Sequence, residues 1–368
     1  MVEGLPLETK TVSMTAAFRS KPMKQLRQQF MSGEKPATCG RCWNEESAGR
    51  VSKRMHSINK FRHLLDKIDF RSDDPKEIMF LDLKLGNICN LRCRICGNWS
   101  SSRWAQEDIP YEEAANKKQT RSYQLLKAGE WPEDNMEFWK DLESILPGVR
   151  YIEFTGGEPF MVIRHYDLLK KAVELGVAGN ISLHYNTNGT MFPADVEPFW
   201  KQFREVEIAF SIDNIGDRFE FERHGAGWFE LENNLKRFRE MADRCGNFKF
   251  QSCTTVNIQN VYYLPEIMSW LEQQDLGFIY LNMLHDPSYM SIANLTPAAK
   301  QLVLDRLDTN SFLPKYHREI EGIRNFITQG AGSDGQEFLS YMARIDKRRD
   351  EDFAKLYPEL AVAMGHGQ

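Results

Sequence analysis

No stretch of this sequence approaches the ~20 consecutive apolar residues that a membrane-spanning helix needs. No basic excess draws it toward nucleic acid or an anionic membrane: 47 Lys and Arg stand against 52 Asp and Glu, a formal net charge of −5. There is no internal repeat and no low-complexity tract. The opening segment MVEGLPLETKTVSM lacks a basic flank leading into an apolar stretch, so no secretory signal is expected. Cysteine is scarce and odd in number, seven in 368 residues, too few for a disulfide framework. The expected setting is the reducing cytoplasm, where clustered cysteines more often bind metal or do chemistry than pair. Hydrophobic residues at 42% and charged residues at 27% exclude a disordered chain, a collagen and a coiled-coil rod. The length admits two domains, or one large α/β unit with appendages.

Five of the seven cysteines fall in two tight groups, Cys39 with Cys42 and then Cys89, Cys93 and Cys96; Cys245 and Cys253 stand alone. Three segments are expected around them. Residues 1–76 read as a helical lead-in with the C-x2-C pair, residues 77–290 as a barrel, and residues 291–368 as a helical tail. In the lead-in, Ser20 and Pro22 open a helix that Gly33 closes, and a second helical pattern runs from Met55 to Ile68. The polar turn SDDP at 72–75 is a candidate boundary.

Six β-rich runs follow, at 78–85, 149–154, 181–187, 206–212, 248–256 and 278–284, with amphipathic helical stretches between them. That alternation predicts βαβ units and a parallel sheet. Six strands are two short of a closed eight-stranded barrel, so an open partial barrel fits, with its chemistry on the loops after the strands. The tail predicts a helix entering at Thr296 and Pro297, a break at 329–336, and one final helix through FLSYMARIDKRRDEDFAKLY. Within it the mixed-charge run DKRRDED reads as a solvated helix face.

The loop after the first strand reads GNICNLRCRICGNWSSSRW, with the spacing Cys89-x3-Cys93-x2-Cys96. A cubane iron–sulfur cluster is held by four thiolates. Three local thiolates leave one iron open, as a catalytic zinc keeps one position free. Buried free cysteines, or part of a structural zinc site, are the competing readings. With this loop the chain resembles the radical S-adenosylmethionine (SAM) enzymes, whose signature is CxxxCxxC after the first strand of a six-stranded partial barrel. The resemblance implies a [4Fe-4S] cluster on the three cysteines and SAM at the fourth iron. It implies reductive cleavage of SAM to methionine and a 5′-deoxyadenosyl radical, which abstracts hydrogen from substrate. The residue before the third cysteine is usually aromatic in that family and is Ile95 here.

The later loops extend the resemblance. After the second strand, FTGGEPF offers Thr155, Gly156, Gly157, Glu158 and Pro159. Glycines let backbone approach a ligand closely, and the family's GGEP motif meets the SAM amino group, with Glu158 as an acceptor for the ammonium. After the third, NTNGT places Asn188 at the floor of the site or in an ordinary turn. After the fourth, Ser211 and Asp213 match the family's ribose-binding positions. Arg223 matches an arginine that pairs with the SAM carboxylate, or else forms a surface salt bridge. After the fifth, Val256 and Asn257 match the adenine contact. After the sixth, His285 and Asp286 face the same mouth or close the barrel edge.

The segment around Cys39, Cys42, Trp43 and Glu46, with the tail pattern, resembles the twitch-type radical SAM proteins, relatives of the SPASM group. Three readings of the pair stay open: an auxiliary iron–sulfur cluster, a zinc or degenerate site, or an uncomplexed pair. An auxiliary cluster needs about four ligands, and Cys245 and Cys253 join only if the fold brings them near. Cys253, inside a strand, reads as a small buried hydrophobe. The expected fold is α/β, a partial (β/α)6 TIM barrel with helical flanks. The expected partners are a peptide or small-molecule substrate and a reducing protein such as flavodoxin or ferredoxin, with no nucleic acid and no membrane. A metal-binding scaffold without turnover is the reading from another class.

Overall fold

The computed structural model describes residues 12–47, 51–69 and 77–367. The candidate boundary at 72–75 lies outside them. Strands β1 (Phe80–Lys84), β2 (Tyr151–Thr155), β3 (Ser182–Thr187), β4 (Glu205–Ser211), β5 (Phe248–Val256) and β6 (Phe278–Met283) form one sheet in sequence order. Every neighbouring pair is parallel. This is the partial (β/α)6 TIM barrel expected from the alternation, left open between β1 and β6.

The two-residue period of a strand sorts the side chains. Ile152, Phe154, Leu183, Tyr185, Ile208 and Phe210 point outward and are fully buried. They share one core with the helices Arg164–Glu174 and Trp228–Cys245 and the helix Leu264–Gln273. The other face is mostly polar. Register aligns Asp82 with Glu153, Glu153 with His184 and His184 with Glu207, a charged row across the concave face.

That row is covered by a helix of the lead-in. Here α1 is Lys21–Met31, α2 is Gly40–Ser47 and α3 is Lys53–Lys60. Lys53 Nζ lies 3.1 Å from Glu153, and Lys60 Nζ lies 2.5 Å from Glu207. His184 Nδ1 lies 2.6 Å from the same Glu207 oxygen. Burial works against the Glu207 carboxylate, but His184 and Lys60 outweigh it and hold its pKa down at about 2. The expected helix to Ile68 stops early: after Lys60 the chain tightens into 3-10 turns at Arg62–Lys67. Phe61 there packs edge-on against Phe80 and Tyr151, with ring centroids 5.0 and 4.9 Å apart.

Beyond the barrel, α4 (Pro297–Thr309) starts where predicted, with Thr296 Oγ1 accepting from the Ala299 amide. Then come α5 (His317–Gln329) and α6 (Gln336–Arg349). The single final helix that was expected is broken. Asp350 takes a left-handed φ of +55°, and two short helices follow, Phe353–Leu356 and Pro358–Ala363. Side chains past the break serve tertiary ion pairs described below, which a straight helix would pull apart. Phe338, Tyr341, Met342 and Ile345 of α6 belong to the barrel's own core.

Candidate active site

Gly86 turns the chain out of β1 with a φ of +72°, and the cysteine loop is then fixed mostly through its backbone. The Cys89 amide donates to Ser102 Oγ at 3.1 Å, and Ser101 Oγ donates to the Leu91 carbonyl at 2.6 Å. Trp104 Nε1 donates to the Cys93 carbonyl at 2.7 Å. The amides of Arg92 and Arg94 donate to the carbonyls of His224 and Glu222, at 2.9 and 2.7 Å. The loop after β4 therefore runs alongside the cysteine loop.

Cys89 and Cys93 are buried and Cys96 is half-buried. Burial pushes the Cys89 thiol up to about 12. The Cys96 thiol hydrogen-bonds Cys93, and this bond, aided by Arg223, draws Cys93 below its ordinary value while Cys96 is pushed up. Among the described residues no three His, Cys, Asp or Glu side chains converge on a single ion. A cubane does not require that, because each thiolate takes its own iron. Three thiols on one short loop, one already drawn toward thiolate beside a buried cation, suit such a cluster.

Asp213 and Arg223 lie where the two loops meet. Arg223 Nη2 donates to Asp213 Oδ2 at 2.6 Å, and Nη1 faces Cys93 Sγ at 3.9 Å. Asp213 Oδ1 accepts from the Thr255 amide at 2.7 Å. Burial opposes the guanidinium charge, but Asp213 and the cysteines outweigh it and hold Arg223 protonated. Its salt bridge is buried rather than superficial, and one edge of its fork is already taken. Its Nε is buried without a protein partner. That orphaned donor beside the cysteines suits a ligand carboxylate.

The GGEP loop lies directly against the cysteine loop. A Cβ on Gly157 would sit 2.1 Å from the Ile88 carbonyl oxygen, so this glycine lets two protein loops touch. The Glu158 amide donates to that same carbonyl at 2.7 Å. The Glu158 carboxylate is fully buried and turned to β3: Thr187 Oγ1 and the Asn188 amide each donate to it at 2.8 Å, and the Phe160 amide at 3.3 Å. Burial pushes its pKa up to about 7. Its side chain is a tie between loops, and Pro159 beside it is buried. Asn188 joins the same lacing: its side-chain Nδ2 donates to Asn90 Oδ1 at 2.9 Å, while Asn90 Nδ2 donates to Thr190 Oγ1 at 2.8 Å.

Ser211 ends β4 half-buried, in register with Cys253. Val256 and Asn257 are fully buried. Asn257 is spent on its own loop, donating to the Thr255 carbonyl at 3.0 Å and accepting from the Gln259 amide at 2.8 Å. As placed, neither presents surface to an adenine. His285 stacks edge-on against Phe326 of α5, with centroids 5.3 Å apart.

Two residues, Glu222 and Arg94, escaped the sequence reading, and Cys253 is placed differently from what was expected. Glu222 is buried, with Oε1 accepting from Asn214 at 2.8 Å; burial and then Asp213 push it up to about 8. Arg94, between two of the cysteines, has no exposed side chain. Cys253 proved to face the barrel interior, lining a cavity of about 80 Å³ with Lys53, Glu153 and Tyr280, rather than the apolar core. Neighbouring cysteines pointed at Arg94 by position alone; nothing local marked Glu222.

Cys39 ends a 3-10 turn and Cys42 lies in α2. Both are half-buried, and no third candidate ligand gathers with them among the described residues. Trp43 Nε1 donates to the Pro36 carbonyl at 3.0 Å, and Arg54 of α3 both lies 4.6 Å from the centre of the Trp43 ring and pairs with Glu46 at 2.6 Å, so Trp43 and Glu46 brace α2 against α3.

Residues 83–248 match the family model described as "Radical SAM superfamily". A search of curated proteins found no match. Among solved structures, native anSMEcpe with bound AdoMet aligns at 17% identity and a TM-score of 0.40, over 62% of this chain and 59% of that one. SuiB of Streptococcus suis bound to S-adenosylmethionine aligns at 14% identity and 0.38, over 80% and 59%. The radical S-adenosylmethionine methyltransferase TsrM of Kitasatospora setae aligns at 12% and 0.36, over 56% and 36%. The chain thus spans about three fifths of the first two structures and about a third of the last. The family match falls on β1 through the start of β5, where the cysteine loop, the GGEP loop and Arg223 come together, so this part of the chain is similar to the radical SAM superfamily.

Proposed function

We propose that this enzyme cleaves SAM reductively at a [4Fe-4S] cluster on Cys89, Cys93 and Cys96, and abstracts hydrogen from a peptide or protein substrate. The observation that carries the reading is Arg223, which joins the β4 loop to the cysteine loop and keeps an unpaired buried donor between them. The cluster, when bound, supplies the electron that breaks a carbon–sulfur bond of SAM. Arg223 Nε would take the SAM carboxylate, and the backbone of Gly156 and Gly157 its amino group. Ser211 and the Asp213 loop would meet the ribose. Glu158 and Asn188 hold the β2 and β3 loops against the cysteine loop, and so keep the floor closed to water. Residues 77–290 would form the catalytic barrel, with both flanks as its cover. Electrons would come from a protein such as flavodoxin or ferredoxin. Free cysteines suit a reducing cytoplasm, and no described helix is long and apolar enough to cross a membrane.

The likeness of the Cys39–Glu46 segment and the tail to twitch-type proteins supports a peptide substrate. A small metabolite is the second reading, favoured by the small interior cavity that α3 leaves. Deuterated cell extract, split by filtration into peptides with proteins and small molecules, distinguishes them. Deuterium should enter 5′-deoxyadenosine from the retained fraction; entry only from the filtrate gives the second reading.

A further inference from the structure

Arg94 is an arginine with no exposed side chain, a condition rare unless the charge is paired. Its Nη2 donates to Asp346 Oδ1 at 2.6 Å and also to Glu351, both from the C-terminal segment. Its Nε donates to the Phe221 carbonyl at 3.2 Å, and the guanidinium lies 3.6 Å from the centre of the Phe221 ring. The backbone is held as firmly. The Arg94 amide donates to the Glu222 carbonyl, and Tyr341 Oη of α6 donates to the Arg94 carbonyl at 2.7 Å. On the far side of Cys93, Arg349 of α6 lies 4.4 Å from the Trp104 ring, whose Nε1 holds the Cys93 carbonyl.

The run DKRRDED is therefore no solvated face. We propose that α6 and the turn after it are a latch that presets the cysteine loop, with Arg94 as the positioning residue through which Asp346, Glu351 and Tyr341 fix Cys93 and Cys96 before any cluster arrives. The role of the loop rests on the proposed function; the latch is a claim about the chain without a cluster and is tested there. An ordinary anchor for a tail would grip the loop's edge. This one grips the residue between two cysteines by side chain and carbonyl.

The test is thiol labelling of the full-length, cluster-free chain, read peptide by peptide by mass spectrometry. Rates at Cys93 and Cys96 are expressed relative to Cys253, enclosed in β5 rather than on the loop, in the same sample, which corrects for global unfolding. Two variants are used. Tyr341→Phe removes one hydroxyl and keeps the ring. The triple variant Arg94→Met, Asp346→Asn, Glu351→Gln removes the buried ion pairs without stranding a charge. Losing charge-assisted bonds should raise the relative rate in the triple variant by about tenfold or more, and Tyr341→Phe should raise it severalfold. Ratios unchanged from wild type in both variants, or labelling that rises equally at all three cysteines, would overturn the latch. Because no cluster is involved, that outcome is separable from failure of cluster binding.

Discussion

Arg223 and Asp213 meet at 2.6 Å, both buried, and Asp213 reaches on to the Thr255 amide while Arg223 reaches to Cys93. One ion pair thus braces the ends of β4 and β5 against the cysteine loop and leaves the arginine's Nε buried without a protein partner.

Removing the arginine therefore has two consequences that can be separated. Arg223→Ala leaves the Asp213 carboxylate buried without its partner, a loss of about 3–5 kcal/mol. It also removes a charged donor to SAM, a loss of about ten- to a hundredfold in affinity. Arg223→Ala with Asp213→Asn should recover most of the stability and none of the affinity. Urea titration reads the first effect and calorimetry with SAM the second. Unchanged SAM affinity in either variant would confine Arg223 to a structural role.

Glu222 gives the fold a pH dependence. Its pKa rises from 4.5 to about 8 on folding, through burial and then Asp213. The protonated acid is the form that fits, so its contribution is complete below about 4.5 and is lost as pH rises through about 8. Glu158, raised to about 7, acts in the same direction. Glu222→Gln mimics the neutral acid, and its melting temperature should fall less than wild type's between pH ~6 and ~9. Parallel melting curves across that range would show Glu222 to be ionised in the fold.

The barrel was legible because its runs are strongly β-forming and separated by helical periods: all six predicted strands lie within two residues of the observed ones. The cysteine trio stands out by its spacing, and the fold places it on the loop after β1 as expected. What stayed hidden depends on partners remote in sequence. Arg94 and Glu351 are 257 residues apart, so DKRRDED showed only its charges. Glu158 shows an acid after two glycines, and only the fold reveals that β3 donors fill it. Lys53 and Lys60 show two exposed cations on a short helix until the sheet brings Glu153 and Glu207 beneath them.

Cys39 and Cys42 should be dispensable for iron. No third ligand gathers with them among the described residues, and half a tetrahedral site seldom holds metal well. Cys39→Ala with Cys42→Ala should retain about four irons per chain and full SAM cleavage. Wild-type protein carrying about eight irons, or a cluster surviving loss of the trio, would establish an auxiliary site instead.

The most direct measurement is on the trio itself. Anaerobically reconstituted wild type should absorb broadly near ~400 nm, bleach with dithionite and release 5′-deoxyadenosine from SAM. Cys93→Ala should lose all three properties while its apo form melts as a folded protein. Full iron loading and undiminished SAM cleavage in Cys93→Ala would contradict the assignment of Cys89, Cys93 and Cys96 as the cluster site.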